Sequence, residues 1–207
     1  MAMSMGINQY RKNKLAVQYW SLEMSTNNFW ARAVANISHV PYRDVRASSR
    51  DPDLATKLQH DLEEFDRVGL ERDKPFSFAS VDQGGFTPSK LEARQGACPF
   101  VVSPDVVIVD SAGMFAPEGR RAHEQISEVH RYFNFMSKRL DCVVVLVQQT
   151  RSIEPWVYTE CCDYLVQWSG VPMLKEYYKT ELHLAKSRFT STRKFDVKFD
   201  LDYMTVS

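Results

Sequence analysis

Nothing in this chain comes near the roughly 20 consecutive apolar residues that a membrane-spanning helix needs. The start, Met1-Ala2-Met3-Ser4-Met5-Gly6, has no basic segment leading into a hydrophobic one, so it makes a poor signal peptide. Cysteine is scarce: Cys98, Cys142, Cys161 and Cys162 contain no Cys-x-x-Cys pair, and the adjacency of the last two argues against a disulfide frame or a zinc site. Reduced, buried thiols in a cytoplasmic protein are the expectation. His39, His60, His123, His130 and His183 show no metal-ligand grouping. Net charge is missing too, with Lys+Arg and Asp+Glu at 26 each, which argues against a free-standing, strongly cationic nucleic-acid binder. The most consequential absence is Gly-x-x-x-x-Gly-Lys-Ser/Thr, the backbone cradle for nucleotide phosphates, which occurs nowhere in the 207 residues.

What is present can build a core. Hydrophobic residues make up 44% of the 207, and the expectation is one domain over 1–207 with no linkers, repeats or low-complexity tracts. Charge balance hides an asymmetry. Residues 51–66 carry six acids against Lys57 alone, and residues 175–198 carry seven bases against three acids. Such runs are solvated faces, or they are opposite patches suited to head-to-tail assembly into a ring.

Met3, Ile7 and Tyr10 predict an opening helix through about Asn13, and Ala16 to Trp20 a strand ending at Glu23. Ser25 or Thr26 can cap a helix carrying Phe29, Ala33, Val34 and Ile37, stopped before Pro41. Pro52 opens a helix with Leu54, Leu58, Leu62, Phe65 and Val68 on one face, and Gly69 reads as its stop. Phe76 to Ala79 is a short strand, followed by a Gly84-Gly85 loop and a short helix from Thr87-Pro88. Val106 to Val109 and Cys142 to Val147 are continuous apolar runs, predicted to be strands covered on both faces. Between them Ile126, Val129, Phe133, Met136 and Leu140 recur at helical spacing. Short strands near 164–168, 181–185 and 194–201 close the chain. The alternation predicts an α/β fold: a mostly parallel sheet flanked by helices, with an antiparallel C-terminal extension. Trp20, Phe29, Trp30, Phe76 and Phe78 are expected in the core or a subunit contact.

Two strand ends carry acid: Ser21-Leu22-Glu23-Met24 and Val106-Val107-Ile108-Val109-Asp110. In open parallel sheets chemistry collects beyond the carboxyl ends of the strands. Glu23 there could orient and deprotonate an attacking water, or it could pair with a lysine or face the next helix N-terminus. Asp110 could hold the water shell of a nucleotide-bound magnesium, or merely cap a turn.

The run Ser21-Leu22-Glu23-Met24-Ser25 resembles the DnaB-like replicative helicases of bacteria and their phages, RecA-fold ATPases that act as hexameric rings on single-stranded DNA. The likeness continues in order along the chain. Asp110 stands where that family keeps its magnesium aspartate. Val143 to Gln149 is similar to its strand ending in a phosphate-sensing glutamine, which falls on Gln149. Arg151-Ser152-Ile153-Glu154 resembles the start of its second DNA-binding loop, and Cys162-Asp163-Tyr164-Leu165 the strand that follows. Leu184-Ala185-Lys186-Ser187-Arg188 resembles its Lys-x-Arg strand end, which reaches a neighbouring subunit's nucleotide. The resemblance implies ATP and Mg2+ as cofactors, Glu23, Asp110, Gln149, Lys186 and Arg188 as catalytic residues, and Asp110 as the metal carboxylate acting through water. It also implies single-stranded DNA as partner, ring self-association, and contact with a primase or helicase loader in a bacterial or phage-infected cytoplasm.

Arg120 and Arg121 fall where the family keeps its first DNA loop, and with Arg151 they are the candidate DNA contacts. A solvated helix start is the competing reading for the first two. There are departures. Residues 1–13 read as the helix that would follow a P-loop, so the chain is expected to begin just after one, and an upstream primase-binding domain is likewise not seen. Asp110-Ser111-Ala112 replaces the family's Asp-Tyr-Leu, and the second DNA loop looks short. A polypeptide without the phosphate cradle is expected to be inactive alone. A non-catalytic RecA-like interaction module in a helicase or recombination assembly is the alternative function.

Overall fold

The computed structural model describes residues 2–80, 103–115, 122–148, 162–171, 177–187, 190–200 and 202–206. Helix α1 (Ala2–Asn13) leads into β1 (Val17–Ser21), and α2 (Thr26–Ser38) follows. A short α3 (Tyr42–Ala47) and a 3-10 turn at Ser48–Arg50 connect to the long α4 (Pro52–Leu70) and then to β2 (Phe76–Ser80). After β3 (Val106–Asp110) come a 3-10 turn at Ala112–Met114, α5 (Ala122–Leu140) and β4 (Val143–Val147). The C-terminal part holds β5 (Tyr164–Val171), β6 (Tyr177–Ser187), β7 (Arg193–Asp200) and β8 (Thr205–Val206). The Gly84-Gly85 loop and the helix expected from Thr87-Pro88 lie outside the described residues.

Strands β2-β1-β3-β4 form one sheet, every neighbouring pair parallel, and β5-β6-β7-β8 form a second that is antiparallel throughout. This is the expected mostly parallel sheet with its antiparallel extension. Because strand side chains alternate between faces, β1 and β3 feed two cores. Val17, Tyr19, Val106 and Ile108 join Met3, Ile7 and Tyr10 of α1, Phe29, Ala33 and Ile37 of α2, and Phe65 of α4. Trp20, Val107 and Val109 join Val129, Phe133 and Met136 of α5 on the other face. The aromatic residues are core-facing as expected, with Phe29 and Phe78 stacked at 3.8 Å between ring centroids. Gly6 allows α1 to lie close on the sheet, since a Cβ there would stand 2.9 Å from Ile108 Cδ1.

Pro41 follows the end of α2 at Ser38, as expected, and serves as the N-cap residue of α3. Two expectations need correction. Helix α4 does not stop at Gly69; it runs to Leu70, and Gly69 is buried where its missing side chain makes room for the Tyr10 ring. Most notably, β4 is not covered on both faces: Val143 is 60% exposed and Val144 to Val147 are half-buried. It stands at the end of the sheet order with β3 as its one ladder partner among the described residues, so its run of valines lacks a neighbouring strand's side chains on one flank.

The N-terminal ends of the central strands are held by Asp105, which accepts from the Ala16 N–H at 2.7 Å and from Lys74 Nζ at 2.8 and 2.9 Å. The second sheet is fastened back to the helices at its last turn. Asn36 Nδ2 donates to the Met204 carbonyl at 2.7 Å and Tyr42 N–H to the Asp202 carbonyl at 2.6 Å. Among the described residues no helix is long and apolar enough to cross a membrane.

Candidate active site at the ends of two parallel strands

The register of β1 against β3 pairs Ser21 with Asp110, the last residue of each strand. One residue further on, the Leu22 N–H donates to the Asp110 carbonyl at 2.6 Å, so the ladder continues to where both strands finish. The chain then turns sharply. Ser21 Oγ donates to the Met24 carbonyl and accepts from the Met24 N–H, both at 3.2 Å, which clips the turn and leaves Glu23 exposed at its tip. Ser80 Oγ, at the end of β2, also donates to the Met24 carbonyl at 3.4 Å, adding a third strand end to the group. Helix α2 begins at Thr26, with Ser25 in the N-cap position but making no side-chain capping bond.

Asp110 is half-buried, and its side chain lies on the face that carries Tyr19 and Ile108. Tyr19 Oη donates to Asp110 Oδ2 at 2.5 Å. Tyr19 itself is fully buried, its ring 5.0 Å from that of Phe29. Burial, together with the charge of Asp110 and the bond to it, pushes the Tyr19 hydroxyl far above its ordinary range, so it stays protonated and remains the donor. The positive charge of Arg32 opposes this shift weakly. Arg32, on α2, directs Nη1 at the Met24 sulfur at 3.4 Å and lies over the Tyr42 ring at 6.0 Å. Its Nε is buried without a hydrogen-bond partner among the described residues. After Asp110 the buried Ser111 and Ala112 lead into the 3-10 turn, with Ala112 packed against the α5 side of the sheet.

Of the residues singled out in the sequence, Glu23 and Asp110 thus sit at neighbouring strand ends. Lys186 lies on β6 opposite Leu165 of β5, in the second sheet. Gln149, Arg188, Arg120, Arg121 and Arg151 lie outside the described residues. Sequence reasoning missed Tyr19, Ser21 and Arg32. Tyr19 alternates with Val17 on one face of its strand and a hydroxyl there was the available signal, but its partner is 91 residues away and could not be named without the strand order. Ser21, three residues before Met24, carried a local signal, because serine hydroxyls close turns of that span.

The profile of the family described as DnaB-like helicase C terminal domain matches residues 1–156. Among solved structures, one titled as a DnaB-like replicative helicase and its interactions with primase superposes with a TM-score of 0.71 at 16% identity, over 99% of this chain and 54% of that one. A second, titled as an ATPase domain, superposes with a TM-score of 0.72 at 18% identity, over 99% of this chain and 78% of that one. The chain therefore spans about half the length of the replicative helicase it matches. No curated protein matches it by sequence. The structural likenesses show the fold, a RecA-like α/β core, and the profile covers well over half of the chain. This protein belongs to the DnaB-like helicase C-terminal domain family.

Proposed function

We propose that the chain is the ATP-hydrolysing core of a replicative helicase, coupling hydrolysis to movement along single-stranded DNA and to duplex opening. The observation that carries this reading is the fastening of β1 to β3 at Leu22 and Asp110, which brings two acidic strand ends together at the carboxyl edge of a parallel sheet. In this reading Glu23, exposed on its clipped turn, takes the proton of the attacking water. Asp110 would hold magnesium, through water. The donor set fits such an ion: a half-buried carboxylate at the strand ends, held on one oxygen by the Tyr19 hydroxyl. Magnesium keeps most of its waters and leans on one or two carboxylates plus substrate phosphates. When bound, it would offset the negative charge that gathers on the phosphate oxygens.

Gln149 would sense the γ-phosphate, and Lys186 and Arg188 would offset charge on the nucleotide of an adjacent subunit. Arg120, Arg121 and Arg151 would meet the DNA backbone. A ring, hexameric in this proposal, repeats each weak phosphate contact in every subunit, which lets a chain of zero formal charge hold a polyanion. A primase or a helicase loader is the further partner, in a bacterial or phage-infected cytoplasm.

Phosphoryl transfer is catalysed mainly by positioning and electrostatics, and the loop absent from these residues supplies much of both. The chain as it stands is therefore expected to bind Mg–ATP weakly and to show no appreciable turnover, with or without single-stranded DNA. Supplied with a P-loop strand and loop ahead of Met1, it is expected to hydrolyse ATP with stimulation by DNA. In that form Glu23→Gln should lower turnover by about 10²–10⁴-fold while the protein stays folded. Turnover unaffected by Glu23→Gln would remove Glu23 from the chemistry.

A further inference from the structure

Tyr19 lies inside the strand predicted from Ala16 to Trp20, and most of the residue behaves as a core aromatic. It is fully buried in β1, packed on Phe29 of α2 in the core that also holds residues of α1 and α4. A phenol in that place is costly unless its hydroxyl finds a partner. The partner it finds is the Asp110 carboxylate, at 2.5 Å. The geometry follows from the strand register. Tyr19 stands beside Ile108, and Asp110 is two residues further along β3 on the same face, so the pair is a diagonal one across adjacent parallel strands. A long, rigid side chain is needed to close that diagonal, and tyrosine has the reach. Asp110 is only half-buried, so the carboxylate spans the boundary between the core and the open strand ends.

We propose that Tyr19 is a positioning residue for Asp110: its buried hydroxyl takes one oxygen of the carboxylate and fixes the side chain so that the remaining lone pairs face a hydrated divalent cation. This rests on the reading of Asp110 as the metal carboxylate and adds to it the group that orients it. Two features make the hydroxyl fit for the task. Its ring is held by Phe29 and the core around it, so its position does not depend on solvent. It also uses only one of the roughly four acceptor sites of a carboxylate, leaving capacity for water molecules of a metal shell. Groups that orient metal-binding carboxylates from behind in this way typically change metal affinity by 10–100-fold when removed.

Two measurements on the full chain test this with Tyr19→Phe, which keeps the ring and removes only the hydroxyl. The first is the Asp110 side-chain torsion, read from three-bond couplings to its carboxyl carbon by NMR. A single rotamer in the unaltered protein and averaging in Tyr19→Phe is the expected result, with the remaining amide spectrum preserved. The second uses Mn2+ alone as the probe, through paramagnetic broadening of the amide signals of residues 109–111. Asp110→Asn should abolish the local broadening, and Tyr19→Phe should raise the Mn2+ concentration needed for it by about 10-fold, at the lower end of that range. An unchanged Asp110 rotamer and unchanged broadening in Tyr19→Phe would overturn the proposal while leaving the metal assignment standing. Broadening near residue 110 that is absent, or indifferent to Asp110→Asn, would overturn the metal assignment and with it the role given to Tyr19.

Discussion

The Leu22 N–H donates to the Asp110 carbonyl at 2.6 Å, so the strand ends that carry Glu23 and Asp110 are fastened to one another by the backbone itself. Side-chain substitutions leave that bond intact, and neither Glu23 nor Asp110 contributes to the hydrophobic cores. In a P-loop-supplied form, Glu23→Gln and Asp110→Asn should therefore each reduce ATP turnover with little change in unfolding temperature. Groups that act as one unit are strongly non-additive. The double variant is expected to be about as impaired as the worse single one; fully multiplicative losses would show that the two contribute independently.

Arg188 provides the sharpest test of assembly. A trans-acting arginine contributes on the order of 10³–10⁵ in rate, whereas a surface arginine contributes almost nothing. Arg188→Ala should abolish turnover in the P-loop-supplied form while ATP binding persists. Mixing Arg188→Ala subunits with Glu23→Gln subunits should restore some activity, because a site between unlike subunits can pair an intact Glu23 with an intact Arg188. Near-normal turnover by Arg188→Ala alone would remove it from the chemistry.

Acid stability should depend on Asp105. Burial pushes its carboxyl up, but the hydrogen bonds from Lys74 and the Ala16 N–H, with the Lys74 charge, outweigh burial and hold it below the ordinary aspartate range. A group whose pKa is depressed by folding stabilises the protein above its unfolded-state value, about 3.9, and loses that contribution as pH falls through the folded value. Asp105→Asn should lower the unfolding temperature at pH 7. The gap to the unaltered protein should narrow as pH drops below about 4. A gap that is constant from pH 7 to pH 3 would mean that the charge of Asp105 is irrelevant.

Gly69 and Tyr10 form a packing pair. The Tyr10 hydroxyl donates to the Phe65 carbonyl at 2.8 Å, and a Cβ on Gly69 would fall 1.8 Å from Tyr10 Oη. Gly69→Ala must therefore displace the ring and break the bond. The expected loss, measured by denaturant unfolding, is about 1–3 kcal/mol, the usual cost of overpacking. Its effect should be non-additive with Tyr10→Phe, since both remove the same bond. A gain in stability from Gly69→Ala would show that the helix propensity of alanine outweighs the contact.

The local elements were legible in the sequence because each has a short-range physical signature. Pro52 behind the capping Asp51, the three-and-four spacing of Val129, Phe133 and Met136, and the unbroken apolar run of β3 specify their structures without reference to distant residues. The acidic residues ending two of those strands were legible for the same reason. What tertiary structure alone decided is whatever depends on strand order and on contacts between distant segments. The valine-rich β4 has the same local pattern as β3, yet it lies at the end of the sheet while β3 lies inside it. Gly69 has the composition of a helix stop, yet its place is set by a tyrosine on another helix. Tyr19 and Asp110 each look complete within their own strands, and only the parallel pairing of β1 with β3 brings the hydroxyl to the carboxylate. A strand's periodicity tells which faces it has, but not which strand will lie beside it.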